Sequence, residues 1–218
     1  MAGNSFGKTF TVTTFGESRG EKTGVIIDGC PANFPLRIDD IQAQLARRRP
    51  GQSIQTSQRN EMDQIHINSG IFEGKTTGMP IMAYVGNTDV REKDYKHILN
   101  HFRPSHVDYA YEMKYGHRDY RRGSRASARE TVGRVIGGAI AQQILQEKGL
   151  TFGAYVSQVG ALAVQRPWEE LAKSRDQVDA HPIRCPDPEC ATKMQALILA
   201  LVLLDHILRS RSYSRKGL

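Results

Sequence analysis

The sequence predicts a mixed fold of class α+β, and three observations predict it. Strand-like segments rich in Thr, Val, Ile and Phe lie in the first hundred residues. A long helical pattern begins near Ser127. A second one closes the chain, with apolar residues from Ala191 to Leu208 at helical spacing. Strands concentrated in the first part of the chain with long helices in the second are the pattern of an α+β protein.

Taken in order, Lys8 to Phe15 reads as a strand that Gly16 to Gly20 breaks, and Gly24 to Asp28 as a second, closed by Gly29 and Pro31. Asp39 to Arg49 reads as a helix. Two Asp stand at its start and three Arg at its end, the order that complements the helix dipole. Pro50 and Gly51 stop it. Short strands are expected at Gln64 to Ile67 and Ile81 to Val85, and residues 101–125 read as a loop because no period is visible. Ser127, Ala128, Arg129 and Glu130 have the spacing of a capping box. Val132, Val135, Ile136, Ala139, Ile140 and Ile144 then mark one helix face, and Gly149 stands where a C-terminal cap belongs. Gly137 and Gly138 inside this helix weaken it, so close packing against them is expected. Thr151 to Val164 is strand-like, and a polar stretch with several prolines follows.

The chain has 218 residues, 39% hydrophobic and 24% charged, enough for one good-sized domain or two small ones. Its net charge of +7 implies an anionic partner: nucleic acid, an acidic membrane surface or a phosphorylated small molecule. Three cysteines, an odd number, read as free thiols in a reducing compartment. Met1 to Phe10 lacks the apolar core of a signal peptide, and Met194 to Leu204 is too short to span a bilayer. A cytoplasmic protein is expected, with no membrane partner.

Three constellations could carry chemistry. Arg47, Arg48 and Arg49 are either a solvated helix end or guanidinium forks for phosphate or carboxylate. In Phe102 to Asp108, His106 stands two residues from Asp108; it is either a surface histidine or a general acid or base. From Tyr115 to Glu130, Arg118, Arg121, Arg122, Arg125 and Arg129 flank Gly123 and Ser124 at the start of a long helix, where backbone N–H groups bind phosphate. Tyr109, Tyr111, Tyr115 and Tyr120 interleave with these arginines, so single-stranded RNA binding is the rival reading. No RNA-recognition motif, helix-turn-helix or zinc knuckle accompanies the patch. Cys185 and Cys190 lack the second cysteine pair of a zinc site, and no metal is expected.

The order of these motifs is similar to that of one family. Gly16-Glu17-Ser18-Arg19-Gly20, then Asp28-Gly29-Cys30-Pro31, then Arg47 to Gly51 resemble the N-terminal signatures of chorismate synthases. So do Ser69 to Gly78, Asn87-Thr88-Asp89, Phe102 to Asp108, and Tyr115 through Glu130. The resemblance implies a β-α-β sandwich, with long helices packed between antiparallel sheets, here incomplete. It also implies a lyase of the shikimate pathway in aromatic amino-acid biosynthesis. Such an enzyme converts 5-enolpyruvylshikimate 3-phosphate to chorismate and phosphate with reduced FMN, and forms homotetramers. Arg48, Arg49, Arg103 and Arg129 would then hold substrate anions, and Arg125, Ala126 and Ser127 would lie against FMN. His106 would correspond to the histidine that protonates the reduced flavin. This load of anionic ligands accounts for the arginines, and nucleic acid is not expected as a partner.

Two features depart from the family pattern. Arg19 stands where the family has the histidine assigned to protonating the leaving phosphate, and Arg is a poor proton donor near neutral pH. Arg122 stands where most members have Gly. Family members are also much longer. Residues 1–198 resemble the N-terminal region and residues 199–218 the family's last helix, as if joined after an internal deletion near Ile198 and Leu199. The helical period continues across that seam, so the two helices could fuse. Turnover by this chain unaided is not expected; an inactive remnant that binds RNA or another subunit is the alternative.

Overall fold

The computed structural model describes residues 3–18, 20–49, 51, 61–88, 101–103, 106–120, 124–171 and 174–214, the last ten of these by backbone alone. The expectations at Arg19, Pro50, Pro104, Arg121, Arg122 and Gly123 lie outside the described residues. The chain divides into two compact units, residues 1–51 with 58–150, and residues 52–57 with 151–218.

The first unit is built on an antiparallel sheet of five strands: β1 (Ser5–Phe6), β2 (Thr11–Gly16), β3 (Lys22–Asp28), β4 (Ile65–Ile67) and β7 (Ile81–Gly86). Their spatial order is β1-β2-β3-β7-β4. A small hairpin of β5 (Ile71–Phe72) and β6 (Lys75–Thr76) lies between β4 and β7 in the chain. Successive side chains of a strand point to opposite faces. The register therefore gathers Val12, Val25, Ile27, Ile81, Ala83, Val85 and Ile65 on one buried face: Val12 pairs with Ile27, Val25 with Ala83, and Ile65 with Val85.

Helices α1 (Ile38–Arg48) and α3 (Thr131–Gln146) cover that face, burying Ile41, Leu45, Val132, Ile136 and Ile140 in the same core. Gln143 of α3 docks on the start of α1. Its amide accepts from the Arg37 N–H and donates to the Arg37 carbonyl, both at 2.9 Å, so two backbone groups at the helix entry are satisfied. Close packing occurs at Gly133 and Gly137. A Cβ at Gly133 would lie 2.6 Å from the Gly24 carbonyl oxygen, and one at Gly137 would lie 3.2 Å from Val12 Cγ2. Gly138 has open space beside it, so of the two glycines expected to pack closely only Gly137 does.

Residues 108–115, expected in a loop, form helix α2 (Asp108–Tyr115). Asp108 in its first turn favours the positive end of the dipole, and Gly116, left-handed at φ 68°, ends it. The capping box at 127–130 is only half made. Ser127 Oγ accepts from the Arg129 N–H at 3.3 Å, whereas the Glu130 carboxylate turns to Thr14 and Arg134. Two short 3-10 turns, Ser124–Ala126 and Ala128–Glu130, therefore lead into α3. Gly149 caps the far end at φ 74°.

In the second unit the strand expected over Thr151 to Val164 is reduced to a hairpin of β8 (Gln158–Val159) and β9 (Leu162–Ala163). Helices α4 (Trp168–Leu171) and α5 (Arg175–Asp179) follow. The unit closes with α6 (Pro188–Ser214), which runs without a break through Ile198 and Leu199. Ala191, Met194, Ile183 and Cys185 form its core, with Val159, Leu162 and Ile198 against them. Beyond this core Leu201, Val202, Leu203 and Leu204 are all exposed. No helix among the described residues is long and apolar enough to cross a membrane.

Candidate functional site

The clearest polar site lies at the ends of α1, β7 and the turn before α3. Arg129 is only 4% exposed. Its Nη1 donates to Asp63 Oδ1 at 2.5 Å, its Nη2 lies 3.1 Å from Glu61 Oε2, and its Nε donates to Asn87 Oδ1 at 2.9 Å. Nη2 also approaches the Gly86 carbonyl at the end of β7, at 3.4 Å. Arg48, in the last turn of α1, reaches the other oxygen of the same Asp63 at 3.6 Å. Two guanidinium groups and two carboxylates thus share a buried cluster, and their formal charges balance. Burial of such charges is tolerable only when they are paired and hydrogen-bonded.

Local folding explains how each side chain arrives there. Gln42 of α1 accepts from the Ile65 N–H at 3.0 Å and donates to the Asp63 carbonyl at 3.3 Å, fixing the segment that leads into β4. Asp63 itself adopts a positive φ of 50°. The approach of Gly133 to β3 brings the start of α3 onto the sheet, so Arg129 reaches past the end of β7. Asn87 follows β7 directly. Its amide nitrogen donates to the carbonyls of Gly20 at 2.7 Å and Glu17 at 3.1 Å, and its backbone N–H to Glu21 O at 2.9 Å. The Glu17 and Gly20 carbonyls are therefore tied to Arg129 through one amide side chain.

A second cluster centres on Asp108, which is 3% exposed. Arg103 grips it with Nε and Nη2, both at 2.7 Å, and with its backbone N–H at 3.1 Å. His106 Nδ1 lies 3.0 Å from Asp108 Oδ1, and Arg118 Nη1 3.6 Å from the same oxygen. The Arg103 guanidinium holds the Asp108 carboxyl well below the usual carboxylate range, against the opposing effect of burial. A carboxylate bonded to one ring nitrogen fixes the orientation of a histidine and leaves the other nitrogen for chemistry.

A third group surrounds the turn before α3. Arg125 points inward, donating to Thr14 Oγ1 and to the Gly16 carbonyl at 3.3 Å, with Glu130 at 3.5 Å. Burial pushes the Glu130 carboxyl up, but hydrogen bonds from Arg134 and Thr14 outweigh it and bring it below its ordinary value. Ala126 is exposed and Ser127 half-buried on the outer side of this turn.

Arg48 and Arg129 are thus brought together on Asp63, and Arg103 and His106 on Asp108. Arg49 is exposed at the end of α1. Sequence reasoning missed Glu61 and Asp63, because their partner Arg129 is more than sixty residues away and no local spacing signals them. The bridging role of half-buried Asn87, though it lies in a recognised motif, was equally invisible in the spacing. Among the described residues no group of three His, Cys, Asp or Glu side chains could hold a metal ion.

Comparison with known proteins places the chain in one family. The sequence pattern of the family described as chorismate synthase matches residues 10–203. The chain is 52% identical to a chorismate synthase of Christiangramia forsetii over 198 residues, covering 91% of this chain and 55% of that protein. It is 51% identical to one of Flavobacterium psychrophilum over the same shares. Among solved structures, a crystal structure of chorismate synthase superposes with a TM-score of 0.63 at 29% identity, covering 87% of this chain and 53% of the other. The chain spans about half the length of the relatives it matches, and its mixed fold is accordingly part of the family's α+β architecture.

Proposed function

We propose, given that the chain belongs to the chorismate synthase family, that it carries the anion- and flavin-binding part of a lyase. That lyase eliminates phosphate from 5-enolpyruvylshikimate 3-phosphate to give chorismate. The observation that carries this reading is the match over residues 10–203, within which the clusters around Asp63 and Asp108 both lie. A cytoplasmic homotetramer is part of the same reading.

In this proposal Arg48, Arg49, Arg103 and Arg129 hold the phosphate and carboxylates of the substrate. Fixed guanidinium groups supply such charge without reorganisation. Arg48 and Arg129 are already balanced by Asp63 and Glu61, so an arriving anion shares them rather than meeting bare charge. The outer side of the turn at Ala126 and Ser127 fits a flat, anionic cofactor such as FMN: it offers exposed small residues at the entry of α3, with Arg125 bracing the turn from behind. Reduced FMN, when bound, would supply electron density to the departing allylic phosphate. His106, oriented by Asp108, would hold the proton exchanged at that site. Arg19 would meet the leaving phosphate with charge but without a proton to give.

Residues 1–198 and 199–218 are proposed to correspond to two separated regions of the family fold, joined within α6. The unbroken course of α6 through Ile198 and Leu199 makes such a junction sterically feasible. Binding without turnover is the expected behaviour. The test is titration of the purified chain with FMN, with and without substrate, followed by a chorismate assay under reducing conditions. Saturable flavin binding that substrate tightens is expected. A folded chain that binds neither ligand would refute the assignment of these residues.

A further inference from the structure

The second unit contains a feature that the proposed lyase chemistry does not use. Cys185 and Cys190 flank the entry of α6, and the segment between them is stiff. Pro186 and Pro188 fix φ on either side of Asp187. The Asp187 side chain accepts from the Cys190 N–H at 3.0 Å, capping the helix. The Cys185 thiol points back to the Asp187 carbonyl at 3.7 Å. Both cysteines belong to one apolar cluster, Cys185 in its buried core and Cys190 packed against it.

The two thiols differ in access. Cys185 is 1% exposed. Cys190 is half-buried and borders a surface recess lined by Leu162, Ala163, Gln165, Asp187 and Lys193. A buried thiol packed in one cluster with a more accessible one is the arrangement in which the outer cysteine attacks a disulfide and the inner one resolves the mixed product. Among the described residues, no group of His, Cys, Asp or Glu around them could hold a metal ion.

We propose that Cys190 and Cys185 form a thiol–disulfide exchange site for small-molecule disulfides of the glutathione class, closing an intramolecular Cys185–Cys190 bond. The Cys190 thiolate attacks one sulfur of the disulfide, and the first small thiolate leaves. The Cys185 thiolate then attacks the Cys190 sulfur of the mixed disulfide and expels the second. The chain loses two hydrogens and two electrons, and one small disulfide becomes two thiols. The bond ties the loop after Arg184 to the first turn of α6. Burial, and then Cys185 and Asp187, push the Cys190 thiol up.

The test equilibrates the intact chain in a series of reduced and oxidised glutathione mixtures, followed by acid quench, alkylation and peptide mass mapping. At the oxidising end the expected product is a Cys185–Cys190 linked peptide, with Cys30 still alkylated. Cys185→Ser should trap glutathione on Cys190, whereas Cys190→Ser should leave Cys185 unmodified. No linked peptide in the folded wild-type chain, or a link that forms only in denaturant, would overturn the proposal. Glutathione found on Cys185 of the Cys190→Ser chain would overturn the assigned order of attack.

Discussion

Arg129 donates to Asp63 across a sequence separation of 66 residues, and the same carboxylate also faces Arg48. The pair joins the start of α3 to the segment held by α1, so the cluster is structural before it is anything else. Removing one member leaves the others buried and uncompensated. Arg129→Ala is expected to lower the unfolding free energy by about 3–5 kcal/mol. Urea denaturation of wild type and variant measures this, and a loss within error of zero would show that the cluster relaxes into water.

Asp108 makes acid stability sensitive to one carboxylate. Its folded pKa is depressed by Arg103, so its contribution is fully present above the unfolded value near about pH 4 and is lost as pH falls below it. Asp108→Asn should therefore be less stable than wild type at neutral pH, with the difference shrinking as the solution is acidified. Thermal unfolding followed from neutral to strongly acidic pH checks the sign. A difference that grows on acidification would contradict it.

Two glycines of α3 should respond in opposite directions to the same change. Gly133→Ala drives a methyl group against the Gly24 carbonyl and should cost about 1–3 kcal/mol. Gly138→Ala meets open space and should stabilise by about 0.5–1 kcal/mol through helix propensity alone. Melting temperatures of the two variants, measured side by side, decide the point.

Restoring the family residue with Arg19→His is expected not to produce chorismate, because the chain spans about half the length of its relatives. The assay is chorismate formation with reduced FMN and 5-enolpyruvylshikimate 3-phosphate. Measurable turnover by that single variant would mean that residues 1–218 hold a complete site.

Much of this fold was legible locally. The Ile41–Leu45 pair and the apolar face from Val132 to Ile144 have the helical period, and both helices lie within two residues of where sequence places them, apart from the 3-10 entry to α3. Helix α2 was hidden because its residues carry little amphipathic contrast: Tyr109, Met113 and Tyr115 are exposed. The family motifs drew attention to Arg48, Arg103, His106 and Arg129. What they left out was the company these residues keep. Glu61, Asp63 and Asn87 acquire their roles only when distant segments meet, and pairing at that range has no signature in spacing.

The Asn87 side chain has a mechanical implication. It holds the Glu17 and Gly20 carbonyls with its nitrogen and Arg129 with its oxygen. A rigid planar amide cannot swing one end without the other, so the Arg129 guanidinium and the backbone at Glu17 and Gly20 are geared together. A ligand that draws Arg129 away from Asp63 pulls on the Glu17 and Gly20 carbonyls as well, and a displacement of that backbone will be felt at Arg129 with no direct contact between them.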